Sequence, residues 1–215
     1  MKRNVPALLL SGALRINELE ALGVSRGELE ELEVEGLIRI EGEEVRVLRA
    51  VQLAIEAVKR GSDIEEASRW LSWRDFEKLC VEALMSHGFK VKAPLRFKAE
   101  GRRFEIDVVG VRGSLVLCID CKHWSLRRGL ASKVRDAAAK HLDRCLNLAS
   151  VLSEALGLKV GAKPIIVPIL VTLSDVGFKS TCSVLVVAIY KLNSLLLELE
   201  DNLDVVPSIR AGKLD

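Results

Sequence analysis

The sequence predicts an α/β protein with a mixed central sheet flanked by helices, preceded by a small module of helices and a hairpin. Three observations carry that expectation. Apolar residues recur at helical spacing from Trp73 to Leu84, and three strand-like runs follow between residues 89 and 123. A long amphipathic stretch from about Ser132 to Leu156 then leads to two more apolar runs of strand length.

In chain order, the first fifty residues read as three short helices and a hairpin. Leu8, Leu9, Leu19, Leu22, Leu29 and Leu32 supply the apolar positions, and Gly12 and Gly23 punctuate them. Ser25 followed by Glu28 makes a capping box for the third helix. Ile38 and Ile40, then Glu41-Gly42-Glu43, then Val45 and Val47 alternate as two strands around a tight turn. Residues 51–71 read as two connecting helices and residues 72–215 as the main domain. Ser72 and Asp75 form a second capping box, opening a helix that stops at His87-Gly88. Strands are expected over Phe89–Phe97, Arg103–Val111 and Ser114–His123, with Gly101 and Gly110 to Gly113 marking the turns. After the long helix, strands near Ile165–Leu173 and Val184–Tyr190 and a helix over Asn193–Leu199 close the chain.

Composition narrows the function classes. With 49% hydrophobic and 29% charged residues in 215, the chain is neither a disordered tail nor a repeat protein. Its longest apolar run, Pro164 to Leu173, is about half of the ~20 residues a membrane helix needs. Met1-Lys2-Arg3 and the apolar stretch to Leu14 imitate a signal peptide but continue into a folded helical unit. Five cysteines in no regular framework point to a reducing compartment, so the expected location is cytoplasmic. There is no Gly-rich phosphate loop, so no nucleotide cofactor is expected. One Tyr and five Phe offer little for single-strand stacking.

The net charge of +2 hides an asymmetry. Residues 1–50 hold 7 Lys/Arg against 10 Asp/Glu, whereas residues 88–145 hold 14 against 6. A basic middle flanked by acidic ends suggests a polyanionic partner.

The acids inside that basic segment sharpen the expectation. In Phe104-Glu105-Ile106-Asp107-Val108-Val109, alternation puts Glu105 and Asp107 on one face. In Leu117-Cys118-Ile119-Asp120-Cys121-Lys122, Asp120 and Lys122 share a face with Cys118, while Ile119 and Cys121 point the other way. Neighbouring strands lie about 5 Å apart, so Asp107, Asp120 and Lys122 converge if the register allows. Charges ending an apolar run are costly unless paired or metal-bound. Two carboxylates and an ammonium can hold a hard cation and position a water. Cys118 and Cys121, facing opposite sides of a strand, are poorly placed to share one zinc ion.

Glu77 on a helix, Asp107 on a strand and Asp120-x-Lys122 on the next resemble the PD-(D/E)XK nuclease superfamily. Trp73-Arg74-Asp75-Phe76-Glu77 with Gly88-Phe89-Lys90-Val91 is similar to the opening of Mrr-type restriction endonucleases. Ile106-Asp107 and Cys121-Lys122-His123-Trp124 resemble those enzymes and the archaeal Holliday-junction resolvases. The likeness covers about residues 73–190 and implies a restriction-endonuclease-like core. The helix-and-hairpin order of residues 1–50 resembles a winged helix. Its third helix is acidic, however, with Glu28, Glu30, Glu31, Glu33 and Glu35 against Arg26, so a protein-contact or dimerisation role is expected there over DNA reading.

The resemblance implies a Mg²⁺-dependent endonuclease, with Mn²⁺ able to substitute. Asp107, Asp120 and the backbone carbonyl of Cys121 would be metal ligands. Lys122 would orient a water or stabilise developing charge, and Glu77 would assist from its helix. Many members carry Glu or Gln where this chain has Asp120, whose reach is shorter. Arg102, Arg103, His123, Trp124, Arg127 and Arg128 flank the predicted site as candidate nucleic-acid contacts, and Lys133, Lys140 and Arg144 fall near one face of the following helix. The expected partner is double-stranded or branched DNA, bound by a homodimer. The rival expectation is an inactive nuclease-fold binding or assembly protein. Against it, a binder has no evident need for buried like charges.

Overall fold

The computed structural model describes residues 4–124, 130–157, 160–173, 175–177 and 179–210. The chain divides into two compact units, Met1–Phe76 and Glu77–Asp215.

The first unit holds α1 (Val5–Leu10), α2 (Ile16–Ala21), α3 (Arg26–Val34), β1 (Ile38–Glu41), β2 (Glu44–Val47), α4 (Ala50–Lys59) and α5 (Ile64–Arg69). The capping box at α3 is complete: the Glu28 amide donates to Ser25 Oγ and the Ser25 amide to the Glu28 carboxylate. An isolated bridge between Arg15 and Glu44 adds a third short pairing to the β1–β2 hairpin. Val5, Leu9, Leu19, Leu29, Leu32 and Ile38 form its core, and Leu53 of α4 is buried in the same cluster.

The boundary between the units falls within α6 (Trp73–Ser86). Beyond it come β3 (Lys90–Lys92), β4 (Leu95–Ala99), β5 (Arg102–Ile106), β6 (Val108–Arg112), β7 (Leu115–Lys122), α7 (Leu130–Ser150), α8 (Leu152–Leu156), β8 (Ile165–Thr172), β9 (Ser180–Thr181), β10 (Val184–Ala188), α9 (Leu192–Glu198) and β11 (Ile209–Arg210). The central sheet runs β3-β6-β7-β8-β10-β9, with β11 on β8. β3, β6 and β7 pair antiparallel, whereas β7, β8 and β10 are parallel, so the sheet is mixed as the sequence implies. The helix expected over Ser132–Leu156 divides at Val151, whose ψ of 21° at φ −126° leaves the helical region.

Two expected strands are each broken, and at the same level. β3 pairs β6 and β4 pairs β5 along one continuous register that, carried through the gap, sets Pro94 opposite Asp107. Pro94 has no N–H to donate, so the ladder is interrupted there and Asp107 falls at a bend between β5 and β6. The distal part becomes a separate two-stranded sheet of β4 and β5. Alternation therefore fails across Asp107. Glu105, expected on its face, instead pairs with Arg96 at 2.6 Å on the outer side of this hairpin.

Gly110 in the middle of β6 is required by close approach. A Cβ there would lie 2.9 Å from Leu84 Cδ1 and 3.3 Å from Phe89 Cβ, so α6 packs directly on the strand backbone.

Candidate functional site

The β6–β7 register places Val108 opposite Ile119, which carries Asp107 to the level of Asp120 at the end of β7. The bend turns the Asp107 carboxylate onto β7, where Oδ2 accepts the Cys121 N–H at 2.8 Å. Burial pushes the Asp107 carboxyl above its ordinary range; that hydrogen bond opposes the rise, Asp120 and Glu77 add to it, and Lys122 works against it. Glu77 thus approaches from α6, half-buried.

Asp120 is 1% exposed and points to the α7 side of the sheet. Arg144 Nη1 donates to its Oδ1 at 2.7 Å, and Lys122 Nζ lies 2.6 Å from Oδ2. The lysine contact is an ion pair without hydrogen-bond alignment, since Oδ2 has no hydrogen-bond partner. The same ammonium lies 3.4 Å from the Cys121 carbonyl oxygen. Asp120 is therefore flanked by two cations, one of which, Arg144, comes from 24 residues along the chain. Helical spacing puts Arg144 near one face with Lys133 and Lys140, as the sequence shows, but its contact with Asp120 is set by the packing of α7 on the sheet.

Behind Asp120, His141 is wholly buried, its Nε2 2.9 Å from the Cys118 carbonyl. Burial holds its pKa low, while Asp120 pulls it up and Arg144 and Lys122 push it down. The cysteines lie as alternation requires. Cys121 Sγ meets Cys80 of α6 at 3.6 Å, and Cys118 meets Cys145 of α7 on the other face. The hydrogen bond with Cys80 and burial push the Cys121 thiol well up, and burial does the same to Cys145, so both are inert at neutral pH.

Between the end of β7 and α7 lies a cleft of about 320 Å³ lined by Asp120, Lys122, Trp124, Lys133, Asp136, Ala137, Lys140 and Arg144. Four cations face two carboxylates. His123 is half-buried beside Trp124. Arg102 and Arg103 lie apart from this cleft on β5, where Arg102 stacks 5.0 Å over the Phe104 ring. Arg127 and Arg128 lie outside the described residues.

The structure thus brings together Asp107, Asp120, Lys122 and the Cys121 backbone, with Glu77 near Asp107. Among the described residues no three His, Cys, Asp or Glu side chains gather closely enough to hold a metal ion. Two carboxylates and a carbonyl are nonetheless hard oxygen donors of the kind Mg²⁺ takes, usually keeping several waters of its own. The donor set fits such an ion in kind.

An uncharacterized protein of Archaeoglobus fulgidus is 31% identical over 129 residues, covering 60% of this chain and 92% of that protein. The two belong to one family. The family described as Mrr_cat, Restriction endonuclease, matches residues 68–146, the stretch that carries α6, β3 to β7 and most of α7. The mixed sheet with its flanking helices is consistent, together with this match, with a restriction-endonuclease-like core in the second unit. The crystal structure of the protein of unknown function AF1548 aligns with a TM-score of 0.37 and 17% identity, over 58% of this chain and 65% of that one. That of VC1899 from Vibrio cholerae aligns with a TM-score of 0.35 and 14% identity, over 92% of this chain and 49% of that one. The chain spans about half to two-thirds of the length of these solved proteins. Among the described residues no helix is long and apolar enough to cross a membrane.

Proposed function

We propose that this protein binds DNA through the second unit and grips its phosphates in the cleft between β7 and α7. The observation that carries this is the charge of that cleft, where Lys122, Lys133, Lys140 and Arg144 outnumber Asp120 and Asp136. The acidic centre beside it is balanced by its own cations. Lys122 and Arg144 compensate Asp120, and burial favours the protonated form of Asp107. Buried like charges therefore do not require catalysis here, because α7 supplies what neutralises them.

A second reading, a metal-dependent endonuclease of the Mrr or Holliday-junction-resolvase kind, is favoured by one observation. The Lys122 ammonium lies on Asp120 Oδ2 and the Cys121 carbonyl, two of the three donors a metal would use, so a cation is already at home there. In this reading Asp107, Asp120 and the Cys121 carbonyl hold Mg²⁺ or Mn²⁺, Lys122 swings to the attacked phosphate, and Glu77 holds a water. The ion would acidify that water and offset charge on the phosphate. A homodimer acting on duplex or branched DNA, with the acidic α3 of the first unit as a protein contact, completes the proposal.

Labelled duplex, flap and four-way-junction DNA, incubated with Mg²⁺ or Mn²⁺, separate the two readings. Binding without cleavage, weakened in Lys133→Ala/Lys140→Ala, is the expected result. Metal-dependent cleavage lost in Asp120→Ala establishes the second reading instead. Absence of binding by the wild type overturns both.

A further inference from the structure

The β4–β5 hairpin carries a charge conflict on its outer face. Leu95, Phe97 and Ala99 of β4 face inward, with Phe97 stacked on Phe104 at 5.4 Å. The outward residues pair across the strands as Arg96 with Glu105 and Lys98 with Arg103. The first pair closes as an ion pair of 2.6 Å. The second sets two exposed cations directly opposite one another, and among the described residues neither meets a carboxylate. Like charges in that position destabilise a hairpin, so the fold gains nothing from them. Glu105 is engaged by Arg96, Glu100 at the hairpin tip approaches Arg102 at 4.0 Å, and Glu154 lines the groove beside the hairpin with no ion pair to Lys98 or Arg103 among the described residues, so the nearby acids leave the conflict in place.

The strand that bears Arg103 leads into the acidic centre. Arg103 precedes Asp107 by four residues, ~13 Å at about 3.3 Å per residue of strand. That is roughly four nucleotide steps along a duplex at 3.4 Å per step. A groove of about 790 Å³ also runs beside the hairpin, with Arg96, Lys98 and Arg103 on its wall.

We infer that Lys98 and Arg103 form a clamp for the phosphodiester backbone of duplex DNA, several nucleotide steps along from Asp107. An anionic backbone laid across the outer face relieves the repulsion that the free protein retains. The contact reads charge and not sequence, because a lysine and an arginine on an exposed sheet surface meet phosphates without reaching base edges. The inference rests on the DNA-binding reading above and assigns it a second, separate contact.

The test measures duplex binding by the full-length chain without divalent metal, from about 50 to about 200 mM salt. Lys98→Thr/Arg103→Thr should make the slope of log affinity against log salt shallower by about 1.8, about 0.9 for each lost phosphate contact. The same variant should melt at or above the wild-type temperature, because threonine suits an exposed strand and the repulsion is gone. Arg96→Ala/Glu105→Ala, which removes an ion pair without changing net charge, should leave the slope unaltered. An unaltered slope in the Lys98/Arg103 variant overturns the clamp; if Lys133→Ala/Lys140→Ala still lowers the slope, the DNA-binding reading survives. A lowered melting temperature in the Lys98/Arg103 variant also overturns the clamp, since the pair would then serve the fold. A wild type that fails to bind duplex overturns both.

Discussion

Replacing Arg144 by Met tests whether the acidic centre is balanced by its own cations. The Asp120 side chain is 2% exposed and holds Arg144 at 2.7 Å and Lys122 at 2.6 Å. Breaking a buried pair outright costs about 3–5 kcal/mol. Here the loss is smaller, because Lys122 stays and the Arg144 side chain is 30% exposed, which lets solvent screen part of the attraction. About 2 kcal/mol is expected, within the range for a hydrogen bond to a charged group. For a chain of this size that is a melting-temperature drop of about 4–8 °C. Asp120→Asn alone should also destabilise, since it leaves Lys122 and Arg144 close to one another with no anion between them. The double variant should lose about as much as the worse single variant and no more, giving a coupling of the order of 1–2 kcal/mol in a thermal-melt cycle. Arg144→Met should also enlarge any stabilisation by Mg²⁺ or Mn²⁺, because the centre loses one positive charge. A melting temperature unchanged in Arg144→Met, or strictly additive losses in the double variant, would refute the charge-balance argument.

Two further predictions concern Asp107 and the strand that follows it. Its carboxyl is raised in the folded protein, so the native state holds a proton that the unfolded chain releases; the resulting stability is complete below the usual carboxylate pKa of ~3.9 and is lost as pH rises through the raised value. Asp107→Asn keeps an acceptor for the Cys121 N–H and removes that loss, so urea melts should show the variant gaining on wild type as pH rises above about 4; parallel profiles would contradict the burial argument. Gly110→Ala forces a Cβ to within 2.9 Å of the wholly buried Leu84 side chain and should cost about 1–3 kcal/mol in a chemical melt, whereas an unchanged midpoint would show that α6 has room to withdraw.

Local rules made much of the fold legible. Ser25 with Glu28 and Ser72 with Asp75 mark helix starts because their hydrogen bonds close within three residues. Asp120 and Lys122 are legible as one-face residues because β7 is unbroken from Leu115 to Lys122. Asp107 is different. Its orientation depends on Pro94, which lies opposite it across the ladder, and alternation along a single strand contains nothing about the strand beside it. Arg144 was harder still, because its helix spacing was readable and its partner was not: only the packing of α7 on the sheet says that this arginine reaches Asp120. The expectation that a binder has no evident need for buried like charges leaves out the cation that α7 supplies to Asp120.

The mixed pairing of β7 also bears on the order in which the centre assembles. β6 and β7 are joined by a short turn at Gly113 and pair locally, bringing Asp107 to the level of Asp120 with little chain to close. Pairing of β7 with β8 matches Asp120 to Leu170 and must wait for the whole α7 crossover, a much longer closure. The two carboxylates should meet first and Arg144 should arrive with the crossover. An early hairpin would thus hold a pair of acids not yet matched by α7, and folding should be faster where protons or salt quiet them than in dilute neutral buffer.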